Sequence, residues 1–285
     1  MKRILSLVLI TGLAFGANAQ DKKIRAGLVT GFTVNSLKVQ TTKIERNGVG
    51  AGFTIGMIGD YNINENIAFS SGIQFDLGSF KVNYGNNNAS TLGNVFYGYT
   101  DTDIYKYDAD NNSFTDFSDT TFFELQTRKF KYKYITIPLF LKFQTNMIGS
   151  FRYYGKFGLR TSFLAGIRMD DTGYDAVQTA GNFVRLNSNP RTLENMKPLG
   201  LKKGLSPVNM GIGIYGGSEW NFTGNTYLFA EIGFNYGITP VLFQKSGHLV
   251  ETEETTSSGV YAPTGALDIK NAPMHTFELK IGLLF

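Results

Sequence analysis

The chain has 285 residues, no cysteine, two histidines, and 27 Lys and Arg against 23 Asp and Glu. These counts exclude a disulfide framework, a metal site built on Cys and His, and a strongly basic nucleic-acid surface. Glycine (33) and aromatics (14%) are high while proline is scarce (7), a balance that suits strands and turns better than helices.

Lys2 and Arg3 open the chain, Ile4 to Phe15 form an apolar stretch, and Ala17-Asn18-Ala19 supplies small residues for cleavage. Residues 1–19 therefore read as a signal peptide, with 20–285 as one mature domain. Without Lys2 and Arg3 the 27 basic residues fall to 25 against 23 acidic, so no nucleic-acid partner is expected. Nothing after Gln20 approaches 18 apolar residues in a row, the length a membrane helix needs.

Eight later stretches alternate with period two, which separates faces on a strand and mixes them on a helix. In 24–34, Ile24, Ala26, Leu28 and Phe32 oppose Arg25, Gly27, Gly31 and Thr33, with Val29 out of pattern. Phe53, Ile55, Met57 and Tyr61 then oppose Thr54 and Asp60, and Ile67, Phe69, Ile73, Phe75 and Leu77 oppose Ser70, Gln74 and Asp76. Around 130–144, Ile135, Ile137, Leu139, Leu141 and Phe143 oppose Tyr134, Thr136, Lys142 and Gln144. Around 152–168, Tyr153, Phe157, Leu159, Phe163, Ala165 and Ile167 oppose Lys156, Arg160, Ser162 and Arg168. Val208, Met210, Ile212, Ile214 and Trp220 oppose Asn209, Tyr215 and Glu219; Leu228, Ala230, Ile232, Phe234 and Tyr236 oppose Phe229, Glu231 and Asn235. The last stretch sets Phe277, Leu279, Ile281, Leu283 and Phe285 against Thr276, Glu278, Lys280 and Gly282.

Short connections near 62–66, 145–151 and 221–225 alternate with long ones near 35–49, 82–129, 169–206 and 241–272. The pattern predicts an all-β, eight-stranded antiparallel up-and-down transmembrane β-barrel with short periplasmic turns and long extracellular loops.

Two features orient it, apolar side outward. The polar face carries Arg25, Asp60, Asp76, Lys142, Lys156, Arg160, Arg168, Glu219, Glu231, Glu278 and Lys280; both signs can neutralise each other in a lumen just wide enough to be filled by side chains. In hydrocarbon each charge would be unpaired and costly. On the apolar face Tyr61, Phe143, Tyr153, Trp220 and Phe285 gather at the short-turn end, with Phe32, Tyr236 and Phe277 toward the other, as membrane-interface aromatics do. The final Phe285 resembles the signal that outer-membrane barrels present to the barrel-assembly machinery.

The segment Tyr134-Ile135-Thr136-Ile137-Pro138-Leu139-Phe140-Leu141-Lys142-Phe143, together with the cleavage site before Gln20, resembles the PorT-like or porin-family outer membrane protein β-barrel domain, over about 24 to 285. The resemblance implies an outer-membrane barrel with long surface loops, no catalytic residues, and for some relatives a link to protein export. Pro138 cannot donate to a ladder, so a bulge or a missing hydrogen bond is expected there.

No enzyme, cofactor or metal site is expected. Asp108, Asp110, Asn112 and Asp119 loosely match a calcium loop, but Ser113 replaces the turn glycine and Asp119 the bidentate glutamate. His248 and His275 stand alone. Gly211-Ile212-Gly213-Ile214-Tyr215-Gly216-Gly217 resembles a nucleotide-binding run but lacks a following helix; its glycines read as small residues round a narrow lumen. The expectation is a plugged barrel in the outer membrane of a Gram-negative bacterium, held in lipid, with a structural or surface-interaction role for its loops. The alternatives are an accessory in protein secretion or assembly, partnered with envelope or secretion proteins, and a small-solute pore. Within the 82–129 loop, Tyr97, Tyr99, Tyr105 and Tyr107 are binding candidates, set against a plain flexible loop.

Overall fold

The computed structural model describes residues 23–84, 94–108, 113–114, 120–199, 204–242, 247–257, 259–267, 269 and 272–285. The segment 1–19 and its cleavage point lie outside the described residues, as do Asp110, Asn112 and Asp119. Every regular element described is a strand.

Eight strands carry the alternating stretches: β1 Ile24–Leu37, β2 Gly50–Asn62, β3 Ile67–Tyr84, β4 Thr121–Gln144, β5 Phe151–Thr179, β6 Val208–Thr223, β7 Thr226–Gly237 and β8 Met274–Leu284. Each pairs antiparallel with the next, and β8 returns to β1 from Gly27↔Leu284 to Leu37↔Met274. Backbone bonds between Phe285 and Ala26, one at 2.8 Å, extend the closure by a residue. A closed ring leaves no open edge, which is the condition for strands in a membrane.

The faces divide as the alternation predicts. Ile55, Leu139, Phe157, Ile214, Ile232 and Leu279 are exposed on the outside, whereas Arg25, Lys142, Glu219 and Glu278 are buried inside. Val29, out of pattern in the sequence, points inward and packs with Ile58, Phe229 and Leu284.

The structure departs from the sequence reading in two places and meets it in a third. First, β4 and β5 are 24 and 29 residues long, well past the expected limits of 130–144 and 152–168. A membrane strand needs about 9–11 residues, and both strands are more than twice that, extended on the long-loop side. Among the described residues, nine further short strands lie in the long connections; of these Val95–Thr100 pairs with β4, and Asn182–Arg185 and Arg191–Pro198 pair with β5. The β5 hairpin turns at Ala180 and Gly181, both with positive φ (49° and 84°), the backbone a two-residue hairpin favours.

Second, the register of β5 against β4 shifts between Leu164 and Gly166. A bulge residue resets the inside–outside count, so Ile167 is buried and Arg168 is exposed, the reverse of their predicted faces. At Pro138 the missing pairing expected of a residue without an N–H is found, with no register shift. The β3–β4 ladder skips from Ser71↔Leu139 to Gln74↔Thr136, and the Ser71 hydroxyl donates to the Pro138 carbonyl at 2.9 Å.

The long connections form a packed cap. Leu37, Phe80, Tyr84, Tyr97, Phe123, Phe130, Tyr132, Met169, Met196, Val241 and Leu249 share one buried cluster. Phe96, Tyr107, Phe114, Phe122, Phe183 and Val250 share a second, in which Phe96 stacks on Phe183 at 4.7 Å.

Candidate functional site

The inner face of the ring is a column of ion pairs whose partners come from different strands. At the short-turn end, Arg25 of β1 donates to Glu219 of β6 at 2.7 Å and to Asp60 of β2 at 3.3 Å. Lys142 of β4 donates to Asp60 at 2.6 Å and also to Glu219. Gln144 accepts from Arg25 at 3.2 Å. One level up, Lys156 of β5 lies 2.7 Å from Glu231 of β7. Higher still, Arg160 reaches Asp76 at 2.5 Å and Glu278 at 3.2 Å, while Lys280 pairs with Glu278 and donates to Gln74 at 3.3 Å.

Aromatic rings fill the gaps between levels. Tyr154 lies under Lys142 at 4.4 Å and Lys156 at 5.0 Å. Tyr215 lies under Lys280 at 4.9 Å and donates to Glu278 at 3.0 Å. Glycines make room for these rings: a Cβ on Gly233 would come within 1.8 Å of Tyr215. The glycines of 211–217 sit in strand β6, and a Cβ on Gly213 would press on the same ring.

Five cations (Arg25, Lys142, Lys156, Arg160, Lys280) therefore face five carboxylates (Asp60, Asp76, Glu219, Glu231, Glu278), all buried. The balance matters because an unpaired buried charge costs several kcal/mol. Toward the long-loop end the inner face of β4 changes character, from Thr136 to Tyr134, Tyr132 and Phe130, all buried. Phe80 stacks on Phe130 at 4.9 Å. The lumen is thus charged and matched in its middle, and capped by aromatics at one mouth.

Of the charges expected on the inner face, Arg168 lies outside, and the other ten are buried in the ring. Sequence reading left Tyr154 unplaced and gave Tyr215 no partner; a tyrosine on the charged face beside lysines was the available signal. Above the lumen, Arg128 of β4 faces Asp171 of β5 through two hydrogen bonds of 2.7 Å, with its guanidinium 5.3 Å from the Tyr97 ring. Burial and the nearby Asp171 raise the Tyr97 phenol well above its ordinary pKa, so it stays neutral.

The loop tyrosines proved to be neither an exposed binding surface nor a loose loop. Tyr97, Tyr99 and Tyr107 are buried in the cap, and Tyr105 packs against the second cluster. Tyr61, Phe143, Tyr153 and Trp220 are exposed on the outer face near the short turns, and Phe285 is half-buried. Of the calcium-loop candidates only Asp108 is described, in the short strand Tyr107–Asp108. No three His, Cys, Asp or Glu gather round a possible metal among the described residues. The His248 ring Nε2 lies 2.7 Å from the Leu199 carbonyl, and His275 stacks on Tyr236 at 4.4 Å.

Solved structures similar to this chain include neisserial surface protein A (12% identity, 92% of this chain and 96% of that one, TM-score 0.36). The attachment invasion locus protein Ail of Yersinia pestis, in complex with the heparin analogue sucrose octasulfate, matches at 10% identity over 92% of this chain and 99% of that one, TM-score 0.34. The N-terminal β-barrel domain of Pseudomonas aeruginosa OprF matches at 10% over 91% and 97%, TM-score 0.27. No curated protein matches the chain. Residues 18–242 fit the profile described as outer membrane protein beta-barrel domain, and the chain belongs to that family of the outer membrane.

Proposed function

We propose that the membrane-spanning unit is the ring of eight strands, closed to solute flow, and that it serves as a rigid stand for a folded surface cap that meets partners outside the cell. The observation that carries this is the lumen: five cations matched by five carboxylates, sealed at one mouth by Phe80, Phe130, Tyr132 and Tyr134. An eight-stranded interior has no space for a water column once its side chains pack. The apolar outer belt supports lipid as its solvent, and on this reading the short turns face the periplasm and the cap faces outward. The predicted leader at 1–19 fits export across the inner membrane of a Gram-negative cell. The PorT-like export role implied by the resemblance has no observation in the structure that favours it.

The test is conductance. The purified chain in planar bilayers is expected to give no steady channel, and stable large openings would overturn the plug. Surface interaction is tested by capturing partners with the intact protein and with a variant changed at exposed cap residues such as Leu186 (60% exposed). Deleting the 94–108 segment would confuse that test, because its tyrosines hold the cap together.

A further inference from the structure

On the outside of the ring, the apolar belt ends abruptly on the long-loop side. The outward face of β4 runs Leu139, Ile137, Ile135, and then Lys133, Lys131, Lys129. The neighbouring strands add to this charge. Lys81 of β3 is directly opposite Lys129, and Arg168 of β5 is directly opposite Lys131. Like charges facing each other across an antiparallel ladder destabilise it, so the arrangement calls for anions. The protein provides some: Lys131 pairs with Asp170 at 2.6 Å and Lys197 with Asp103 at 3.1 Å. Lys133 and Arg168 have no carboxylate partner among the described residues.

These two side chains, with Lys131 and Lys197, line a cleft of 870 Å³ against the barrel wall. Its other walls are mostly apolar and include Leu77, Ala165, Pro198 and Leu199, with Asn195 as a further polar residue. The bulge at Leu164/Gly166 is what brings Arg168 to this outer surface.

We propose that the cleft holds the phosphorylated headgroup of an outer-leaflet lipid, with Arg168 and Lys133 as phosphate ligands and the apolar wall against the top of the acyl chains. The inference rests on the membrane reading above. Arginine offers a fork of donors that matches phosphate, and lysine adds a point charge. A soluble anion would need only the cations. The join of cations to a lipid-facing belt, on the same face of the same strands, selects an amphiphile.

The test uses the full chain, its barrel verified by heat-modifiable gel mobility, in phosphatidylcholine vesicles containing traces of lipid A or of dephosphorylated lipid A. Phosphorylated lipid A is expected to be retained about tenfold more tightly than its dephosphorylated form, and K133Q/R168Q should remove that preference. K23Q, an exposed cation at the opposite rim, should retain it, and millimolar inorganic phosphate should not displace the lipid. Should the double variant lose its heat-modifiable fold, K133Q alone is read instead and is expected to bind about threefold more weakly. Equal retention of both lipids, or a folded variant that binds like the parent, overturns the site while the membrane reading stands. Displacement by inorganic phosphate overturns the lipid assignment. Failure of the parent chain to enter vesicles at all overturns both.

Discussion

Neutralising Glu219 probes the charge balance of the lumen most directly. Its carboxylate accepts from Arg25 at 2.7 Å and from Lys142, and the same two cations share Asp60 at 3.3 and 2.6 Å. Glu219→Gln leaves two buried cations on one carboxylate, with Arg152, now 3.9 Å from Glu219, adding a third. At an effective dielectric of about 20, one contact near 2.7 Å is worth roughly 6 kcal/mol before desolvation is subtracted. Breaking a buried pair by removing one partner costs about 3–5 kcal/mol net. Urea unfolding of the barrel in vesicles, followed by the fluorescence of the single tryptophan, Trp220, should show that loss. Adding Lys142→Met restores the balance, with Arg25 on Asp60, and should recover about 2 kcal/mol relative to E219Q alone. An E219Q variant within about 1 kcal/mol of the parent, or a double variant no more stable than the single, would refute the claim that matched charge holds the lumen.

Gly233→Ala forces a Cβ into the Tyr215 ring and should cost about 1–3 kcal/mol in the same assay; Tyr215→Ala in the same chain should relieve the clash. Ile214→Arg, on the lipid-facing side midway along β6, should cost about 2–4 kcal/mol in vesicles, far more than Ile214→Val. Arg128→Ala strands Asp171 in the cap and should cost that region about 3–5 kcal/mol. Limited proteolysis is expected to cut the cap of this variant while the barrel keeps its heat-modifiable mobility.

How far the sequence could be read depended on the distance between cause and effect. In β8, Phe277, Leu279 and Ile281 alternate with Glu278 and Lys280, and each face has one solvent along its whole length, so faces and strand were legible together. Arg168 was misplaced because one bulge residue at Leu164/Gly166 reverses the count, and nothing in Leu164-Ala165-Gly166 marks it beyond a glycine. Tyr97 and Tyr99 looked like exposed recognition residues because their burial comes from segments far along the chain, such as Leu193 and Leu249. The charges of the lumen were legible as a set, but their pairing was not. Arg25 meets a carboxylate 194 residues away, and only closure of the ring brings them to one level.

The length of β5 has a mechanical meaning. On the proposed membrane reading, about 11 of its 29 residues would cross the bilayer, and the remaining 18 or so, at ~3.3 Å each and tilted ~45°, would rise roughly 40 Å above it. Paired with β4 from Tyr154 to Ala176, this ribbon would on that reading be a mast that carries its tip, Ala180-Gly181, at a fixed height above the lipid. Whatever touches the tip pulls on a girder continuous with the transmembrane wall.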